Sequence, residues 1–258
     1  AHVSHLSISL DGKNSGQHLP FVYTTSVVVE ELRPSSGSAA GGTVVTIIGG
    51  KYSPLVPYEC IFGDIQTRSM ATFISSTALQ CVTPYANNGG ASIQHVSLAV
   101  DGVVITSIAN TSFEYFVDPV LLAISPNRGS IAGGKAVTLL IQGISYHEKI
   151  ASSKGSAWCL FGSKAVAGVL NYASSSIECL VPKSINDAVG NVNVKVSLNG
   201  ADFFGNDMIY TYHDVIQVHN IEPWHGPMHG GTMLIVTGSS FPQRNDLKCV
   251  IGTRSMRA

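Results

Sequence analysis

Short runs of alternating apolar and polar residues recur along the chain, separated by turns rich in Gly, Pro and Asn. Clear examples span residues 44–48, 136–141 and 233–237. A period of two is typical of half-buried β-strands. No segment shows a helical period of useful length, and Gly and Pro are too dense for long helices. The pattern therefore predicts an all-β fold made of many short strands.

A motif that occurs three times precedes these runs. Each copy has a Gly three residues after a Pro, and a Gly pair at the seventh and eighth positions after that Pro. The copies begin at Pro34, Pro126 and Pro223. Four fixed positions in the same order are not expected to recur by chance. The chain therefore contains an internal repeat of domain size.

Further landmarks follow the motif in a constant order. The first is a Cys followed three residues later by a Gly, and the next is a Cys followed three residues later by a Pro. A later strand ends in a turn dipeptide, and an aromatic-x-aromatic strand closes the unit. In the order of these landmarks the residues are Cys60, Cys159 and Cys249; Cys81 and Cys179; Asp11-Gly12, Asp101-Gly102 and Asn199-Gly200; and Phe21-x-Tyr23, Phe113-x-Tyr115 and Tyr210-x-Tyr212. Short strands with such regular turns predict a β-sandwich.

The connection between units has a constant length. Eleven residues lead from the closing Tyr of one unit to the Pro of the next, as from Tyr115 to Pro126. Only a few of these residues remain between the last strand of one unit and the first of the next, and no Gly/Ser-rich or Pro-rich linker intervenes. Short connections restrict relative motion. The sequence predicts a stiff, nearly continuous rod with a similar angle at each joint.

Taken together, the Pro-x-x-Gly-x-x-x-Gly-Gly start, the Cys-x-Phe-Gly strand and the Cys-x-x-Pro strand resemble the IPT/TIG repeat. This is the immunoglobulin-like module of plexin and Met-type receptor ectodomains and of large microbial and protist surface proteins. The resemblance covers essentially the whole chain and implies tandem immunoglobulin-like β-sandwiches. A related module in transcription factors helps to dimerise and contact DNA. The near-neutral charge and the paired cysteines of this chain argue against that branch.

The register of the repeat predicts where the units begin and end. Residues 1–27 are expected to be the C-terminal strands of a truncated repeat, and 217–258 the N-terminal half of a further one. Residues 28–119 and 120–216 are expected to be complete repeats. Both half-units would expose unpaired strands. Either the segment belongs to a longer chain in a filament, or the terminal fragments of neighbouring copies complete one another.

Composition narrows the function. Of the 258 residues, 45% are hydrophobic and only 12% are charged, with a formal net charge of -1. The charged fraction is about half of the usual ~25%, which suits a glycosylated or densely assembled surface protein. The chain has no basic footprint for nucleic acid and no apolar run of about 18 residues that would span a membrane. Its first residues do not have the pattern of a signal peptide.

The five cysteines are the main candidate site residues. Cys60 and Cys81 occupy the same repeat positions as Cys159 and Cys179. Pairing within each repeat predicts two disulfides and an oxidising compartment, and Cys249 would then pair outside the segment. Buried free thiols and a metal site are the alternatives. The metal site has little support, because there is no Cys-x-x-Cys and no partnered His at fixed spacing.

Other candidate chemistry is sparse. Asn110-Thr111-Ser112 is an N-glycosylation sequon in a predicted loop, which makes Asn110 the candidate glycosylation site. His225 and His229 invite a metal site, but the equivalent loops lack His, so an exposed loop is the simpler interpretation. The Gly pairs are not phosphate loops, because no Gly-Lys-Ser/Thr follows. Nothing indicates a catalytic triad, so no enzyme activity, cofactor or metal is expected.

The sequence therefore predicts a non-catalytic extracellular array, structural or adhesive, in a cell-surface stalk, fibre or filament. Its partners would be other copies along the fibre or neighbouring surface proteins, with possible glycans and no nucleic acid or membrane contact. One alternative is a spacer or ligand-binding segment of a plexin-like receptor ectodomain. Another is a carbohydrate-binding accessory module, which needs aromatic platforms. The only tryptophans, Trp158 and Trp224, occupy non-equivalent repeat positions.

Overall fold

The computed structural model shows a nearly all-β protein. It describes residues 2–10, 12–14, 19–23, 27–64, 66–87, 89–105, 111–144, 157–205, 207–241 and 247–257. Within these ranges the sole helical element is a short 3₁₀ turn at Ile185–Asp187. The predicted all-β class is therefore confirmed.

The first strands form two small antiparallel pairs. They are β1 (His2–Leu6), β2 (Ser9–Leu10), β3 (Lys13–Asn14) and β4 (Leu19–Tyr23). Strand β1 pairs with β4, so that His2 lies opposite Tyr23 and Leu6 lies opposite Leu19. Strand β2 pairs with β3. The aromatic-x-aromatic strand is thus β4, on the edge of a hairpin-like ribbon.

Unit 1, which comprises β5–β14, is a sandwich of two sheets. Its strands are β5 (Val28–Arg33), β6 (Ser36–Ser38), β7 (Val44–Gly50), β8 (Glu59–Phe62), β9 (Arg68–Met70), β10 (Thr72–Ser75), β11 (Ala78–Val82), β12 (Ser92–Val100), β13 (Val103–Val104) and β14 (Ser112–Phe116). One sheet has the order β10-β11-β7-β5, and the other has the order β6-β14-β12-β8-β9 with β13 added to β12. The pairing of β6 with β14 is parallel.

Unit 2, which comprises β15–β22, is a second sandwich. Its strands are β15 (Val120–Ser125), β16 (Arg128–Ser130), β17 (Ala136–Gln142), β18 (Ala157–Phe161), β19 (Lys164–Asn171), β20 (Ser176–Leu180), β21 (Gly190–Ser197) and β22 (Ile209–His213). They form one hydrogen-bonded series, β15-β17-β20-β19-β18-β21-β22-β16. Strand β19 joins the two layers, because it pairs with β18 along one edge and with β20 along the other.

Unit 3, which comprises β23–β26, contains two strand pairs. Its strands are β23 (Gln217–Glu222), β24 (Ile235–Ser239), β25 (Lys248–Ile251) and β26 (Arg254–Arg257). Strand β23 pairs with β24, and β25 pairs with β26. Strand β24 begins at Ile235, later than the start at Met233 that alternation predicts.

Each complete unit buries its inward-facing side chains in its own core. In β7, Val45 and Ile47 are buried while Val44 faces solvent, as a period of two requires. The closing aromatic strand supplies the largest side chains. The ring of Phe62 packs edge-to-face on Phe113 at a centroid distance of 5.5 Å in unit 1. Phe161 and Tyr210 repeat this contact at 5.5 Å in unit 2.

The Gly pair of the motif has a structural reason. Both glycines have positive φ in all three copies; in unit 1 the angles are 76° at Gly41 and 86° at Gly42. A Cβ on Gly41 would lie 2.7 Å from the carbonyl carbon of Pro84. A Cβ on Gly133 would lie 2.6 Å from the carbonyl carbon of Pro182. The first Gly of the pair is therefore required where this turn packs against the end of the Cys-x-x-Pro strand.

Candidate interaction surfaces and the joint between units

The four cysteines singled out by spacing lie in two buried pairs. Disulfide bonds join Cys60 to Cys81, with Cα atoms 6.5 Å apart, and Cys159 to Cys179, with Cα atoms 6.4 Å apart. The bonds link β8 to β11 in unit 1 and β18 to β20 in unit 2. Cys249, which is partly exposed on β25, has no disulfide partner within the described residues. The disulfides thus tie together the two layers of each complete unit.

In each complete unit, a buried tyrosine near the end of the closing strand hydrogen bonds with the Pro of the Cys-x-x-Pro strand. The Tyr115 hydroxyl donates to the carbonyl of Pro84 at 3.1 Å, and the Tyr212 hydroxyl donates to the carbonyl of Pro182 at 2.8 Å. Burial raises the pKa of both hydroxyls above the usual range. They therefore remain protonated donors at neutral pH. The contact fixes the Cys-x-x-Pro strand next to the Gly pair.

The most informative site is the joint between units 1 and 2. The Thr43 hydroxyl donates to Asp202 Oδ2 at 2.6 Å, and the Asn199 amide donates to the Ser36 carbonyl at 2.8 Å. Asn199 Nδ2 also donates to Asp202 Oδ2 at 2.8 Å. Thr43 is completely buried. A charged acceptor strengthens such bonds, and burial shields them from water.

An apolar contact lies beside these hydrogen bonds. Phe116, the last residue of β14, is only 4% exposed and packs into the core of unit 2. Its ring meets Phe204 edge-to-face at 6.0 Å. The Phe116 carbonyl accepts a hydrogen bond from the Ala39 amide of unit 1 at 2.8 Å. Phe116 therefore connects the two units directly, through its carbonyl to unit 1 and through its ring to unit 2.

The hairpin turn that unit 2 presents to unit 1 is organised by Asn199. Its Oδ1 accepts hydrogen bonds from the amides of Ala201 at 2.9 Å and Asp202 at 2.8 Å. Only Gly200 of this dipeptide has positive φ, at 78°. In the equivalent turn of unit 1 both members do, at 51° for Asp101 and 76° for Gly102. Asn199 therefore shapes this turn through its side chain rather than through its backbone angle.

Sequence patterns indicated the turn at Asn199-Gly200 but missed the rest of the joint. Thr43 and Asp202 are 159 residues apart in the sequence. Asp202 lies just after the turn dipeptide, in a position that no repeated landmark marks. The residue directly after the Gly pair could have indicated the joint from the sequence, since Thr43 occupies that position.

The other predicted sites lie apart from the joint. Asn110 falls outside the described residues. His225 and His229 are exposed in unit 3, and the described part of the chain holds no group of three His, Cys, Asp or Glu side chains suited to a metal ion. Trp224 is 86% exposed, whereas the Trp158 indole lies over Gly200. The two tryptophans belong to different units and share no platform.

Unit 3 exposes side chains whose counterparts are buried in unit 2. Ile251 is 54% exposed, whereas Phe161 at the equivalent position is 2% exposed. An open apolar groove of about 460 Å³ is lined by side chains such as Val218, Leu234 and Ile251. These strands carry the inward face of a sandwich.

Within the described part of the chain, no helix is long and apolar enough to cross a membrane.

Comparison with known proteins gives a consistent result. The sequence profile of the IPT/TIG domain matches residues 27–115, 119–212 and 217–257. Fibrocystin-L from Mus musculus is 25% identical over 246 residues, covering 93% of this chain. Plexin-A2 from Homo sapiens is 28% identical over 215 residues, covering 81%. The chain spans 5% of the length of this fibrocystin-L and 11% of this plexin-A2.

Among solved structures, the extracellular region of plexin A4 aligns with 76% of this chain and 16% of its own, at 20% identity and a TM-score of 0.43.

Proposed function

This chain belongs to the IPT/TIG domain family, and on that premise we propose that it is part of an extracellular array of sandwiches that acts structurally or adhesively rather than catalytically. Its partners are other proteins, either further copies along a fibre or neighbouring surface proteins. Two buried disulfides support an oxidising compartment. Similarity to fibrocystin-L and plexin-A2 along most of the chain also supports this assignment.

The joint between units 1 and 2 is the observation that carries the proposal. Thr43 and Asp202 make a short hydrogen bond across it, and Phe116 contributes to the core of the following unit. A polar contact of fixed geometry next to an aromatic ring that packs into the following unit restrains both bending and rotation. Restraint at each joint is what a stalk or fibre requires, because it transmits position along its length.

A scattering experiment tests the proposed stiffness. Small-angle X-ray scattering of the chain should fit a single arrangement of units 1 and 2, with a maximum dimension that does not change between low and high salt. Thr43→Val combined with Asp202→Ala should broaden the distance distribution without unfolding either unit. Glu31→Gln, at an exposed residue of β5 paired with Arg33, is the matched control and should change nothing. Freely jointed units in the unaltered chain would contradict the proposal.

A spacer role in a receptor ectodomain is the second candidate, and the similarity to plexin-A2 favours it. The two candidates differ in self-association. Sedimentation velocity over a wide concentration range should show growth of oligomers for a fibre, and a constant monomer for a spacer. Reversible growth that is sensitive to substitutions on exposed strand edges would support the fibre.

A further inference from the structure

The face of unit 1 that meets unit 2 has a counterpart in unit 2 that nothing covers within the described residues. In unit 1 this face contains Ser36 and Thr43, which are partly and fully buried. The same positions in unit 2 hold Arg128 and Lys135, and both are exposed. We call the surface formed by Arg128, Gly129, Lys135 and Lys183 the basic end face.

One geometric feature is common to the three units. The relevant glycine is the one three residues after the Pro of the motif, and a Cβ added to it would collide with a hydroxyl oxygen. At Gly37 this oxygen belongs to Thr43, and at Gly226 it belongs to Thr232. Beneath Gly129 the colliding oxygen is the Tyr210 hydroxyl. Each unit therefore places a hydroxyl against this glycine, but unit 2 supplies it from a different strand.

The difference arises from a paired exchange. Where unit 1 has Phe113 and Thr43, unit 2 has Tyr210 and Lys135. The Tyr ring carries its hydroxyl to the place that the Thr hydroxyl fills in unit 1. This leaves the residue after the Gly pair free to be a lysine, whose Cδ lies 3.5 Å from the position of a Cβ on Gly129.

The hydroxyl of unit 2 has no partner where that of unit 1 has one. Thr43 donates to a carboxylate of the next unit at 2.6 Å. The Tyr210 oxygen is buried, and no group in the described part of the chain hydrogen bonds with it. Burial raises the pKa of Tyr210 to about 12, so it is a proton donor at neutral pH. Buried hydroxyls are nearly always paired, because an unmade hydrogen bond costs free energy.

The charge of the surface indicates the partner. Arg128, Lys135 and Lys183 replace Ser36, Thr43 and Tyr85, and only Lys183 makes an ion pair within the described residues, with Asp187 at 2.9 Å. A carboxylate would satisfy the orphan hydroxyl and the free cations together. Complementary charge of this kind selects partners at interfaces.

We propose that the basic end face binds a β-hairpin turn bearing a carboxylate at the position equivalent to Asp202, with Tyr210 and Lys135 as its donors. The hairpin belongs to the unit that follows in the array, so this inference rests on the proposed function. The residue after the Gly pair is then a donor to the hairpin of the next unit in both cases: the hydroxyl of Thr43 in unit 1 and the ammonium of Lys135 in unit 2.

A peptide titration tests this directly. The probe is a head-to-tail cyclic peptide with the sequence of residues 196–204, which the chain itself closes through two 2.7 Å hydrogen bonds between Val196 and Phe204. Added to the isotope-labelled full chain, it should shift the NMR signals of the Tyr210 ring and the Lys135 side chain. Replacing its Asp by Asn should weaken binding by about tenfold, the effect expected of a close charge pair.

Variants of the chain sharpen the titration. Lys135→Gln and Tyr210→Phe should each weaken binding of the peptide. Tyr210→Phe preserves the fold, because Phe113 occupies that position in unit 1. The matched control is Lys195→Gln, at an exposed lysine of β21, and it should bind as the unaltered chain does. Equal shifts with the Asp and Asn peptides, no shift at millimolar peptide, or equal shifts with sodium sulfate would each overturn the proposal.

A transplant provides a second, independent test. Phe113→Tyr combined with Thr43→Lys places the donors of unit 2 opposite Asp202. Hydrogen exchange of the hairpin around Asn199 should stay slow in this double variant and become fast in Thr43→Val, which removes the donor. Exchange as fast in the double variant as in Thr43→Val, with unit 1 still folded, would overturn the proposal.

The peptide arm does not depend on stiffness. If scattering shows flexible joints while the peptide still binds, the proposed function fails but binding at the basic end face is supported. If the joints are stiff and the peptide does not bind, only this inference fails.

Discussion

Units 1 and 2 carry the same landmarks but connect their two layers differently. In unit 1 the segment between the disulfide cysteines is broken into β9, which pairs with β8, and β10, which pairs with β11. In unit 2 the same segment is the single strand β19, which pairs with both neighbours. The first unit therefore has two separate sheets, and the second has one continuous series of strands.

The turns on either side of the break differ in length between the units, because Ile61 pairs with Arg68 whereas the equivalent Leu160 pairs with Ala165. The cysteines are 21 residues apart in unit 1 and 20 apart in unit 2. The register of β10 also shifts between Phe73 and Ser75, next to its turn into β11. Strand β19 has no such shift. Two units of this repeat can therefore differ in sheet connectivity and turn length while the disulfide joins the same pair of strands.

The side chain at the crossing point differs as well. Ala71 bonds to the Tyr58 carbonyl through its amide, and Gly168 lies opposite Ala157, which corresponds to Tyr58. A Cβ on Gly168 would collide with the Sγ atom of Cys179 and lie 2.9 Å from Cγ2 of Ile177. The continuous strand thus passes close to the disulfide and requires a glycine there.

Removal of each disulfide should have the largest effect on this comparison. Cys60→Ala with Cys81→Ala, and Cys159→Ala with Cys179→Ala, should each lower the free energy of unfolding of their own unit by about 3 kcal/mol, because the two closed loops are nearly equal in length. Hydrogen-exchange mass spectrometry reads the two units separately. A much smaller loss of unfolding free energy in unit 2 would show that its continuous sheet already links the two layers without the disulfide. Detection of the four cysteines as free thiols in the denatured chain would refute both bonds.

Substitution at the crossing point should have the next largest effect. Gly168→Ala should destabilise unit 2 by about 1–3 kcal/mol, because its Cβ overpacks against Cys179 and Ile177. Urea unfolding followed by the fluorescence of Trp158 measures this. The reverse change in unit 1, Ala71→Gly, should cost only about 0.5–1 kcal/mol through backbone entropy. Gly168→Ala without effect would mean that β19 does not pass so near the disulfide.

The smallest effect should come from the tyrosine hydroxyls. Tyr115→Phe and Tyr212→Phe each remove one buried hydrogen bond to a Pro carbonyl and should lower stability by about 1 kcal/mol. Tyr210→Phe should change little, since its hydroxyl has no partner within the described residues. Thermal unfolding of the three variants in parallel measures the difference. A loss for Tyr210→Phe equal to the others would reveal a partner for that hydroxyl within the chain.

Much of this protein follows from the order of its residues. Alternation of period two predicted the strands, and the repeated motif predicted tandem sandwiches of the IPT/TIG family, which the fold and the profile match confirm. The Gly pair recurs at the same turn of each unit, and all six glycines have positive φ. These features are local or repeated, so neighbouring residues are enough to specify them. The unit boundaries, the glycosylation of Asn110 and the pairing of Cys249 remain predictions.

Only the tertiary structure decided the joint and the basic end face. Thr43 meets Asp202 across 159 residues, and Tyr210 takes over the place of a Thr hydroxyl from another strand. No local pattern marks either pair, because each depends on how two units or two strands come together in space. Unit 3 makes the same point: its strands carry the alternation of a sandwich, yet Ile251 is 54% exposed. Alternation specifies which face is apolar, whereas burial requires a second layer to cover it.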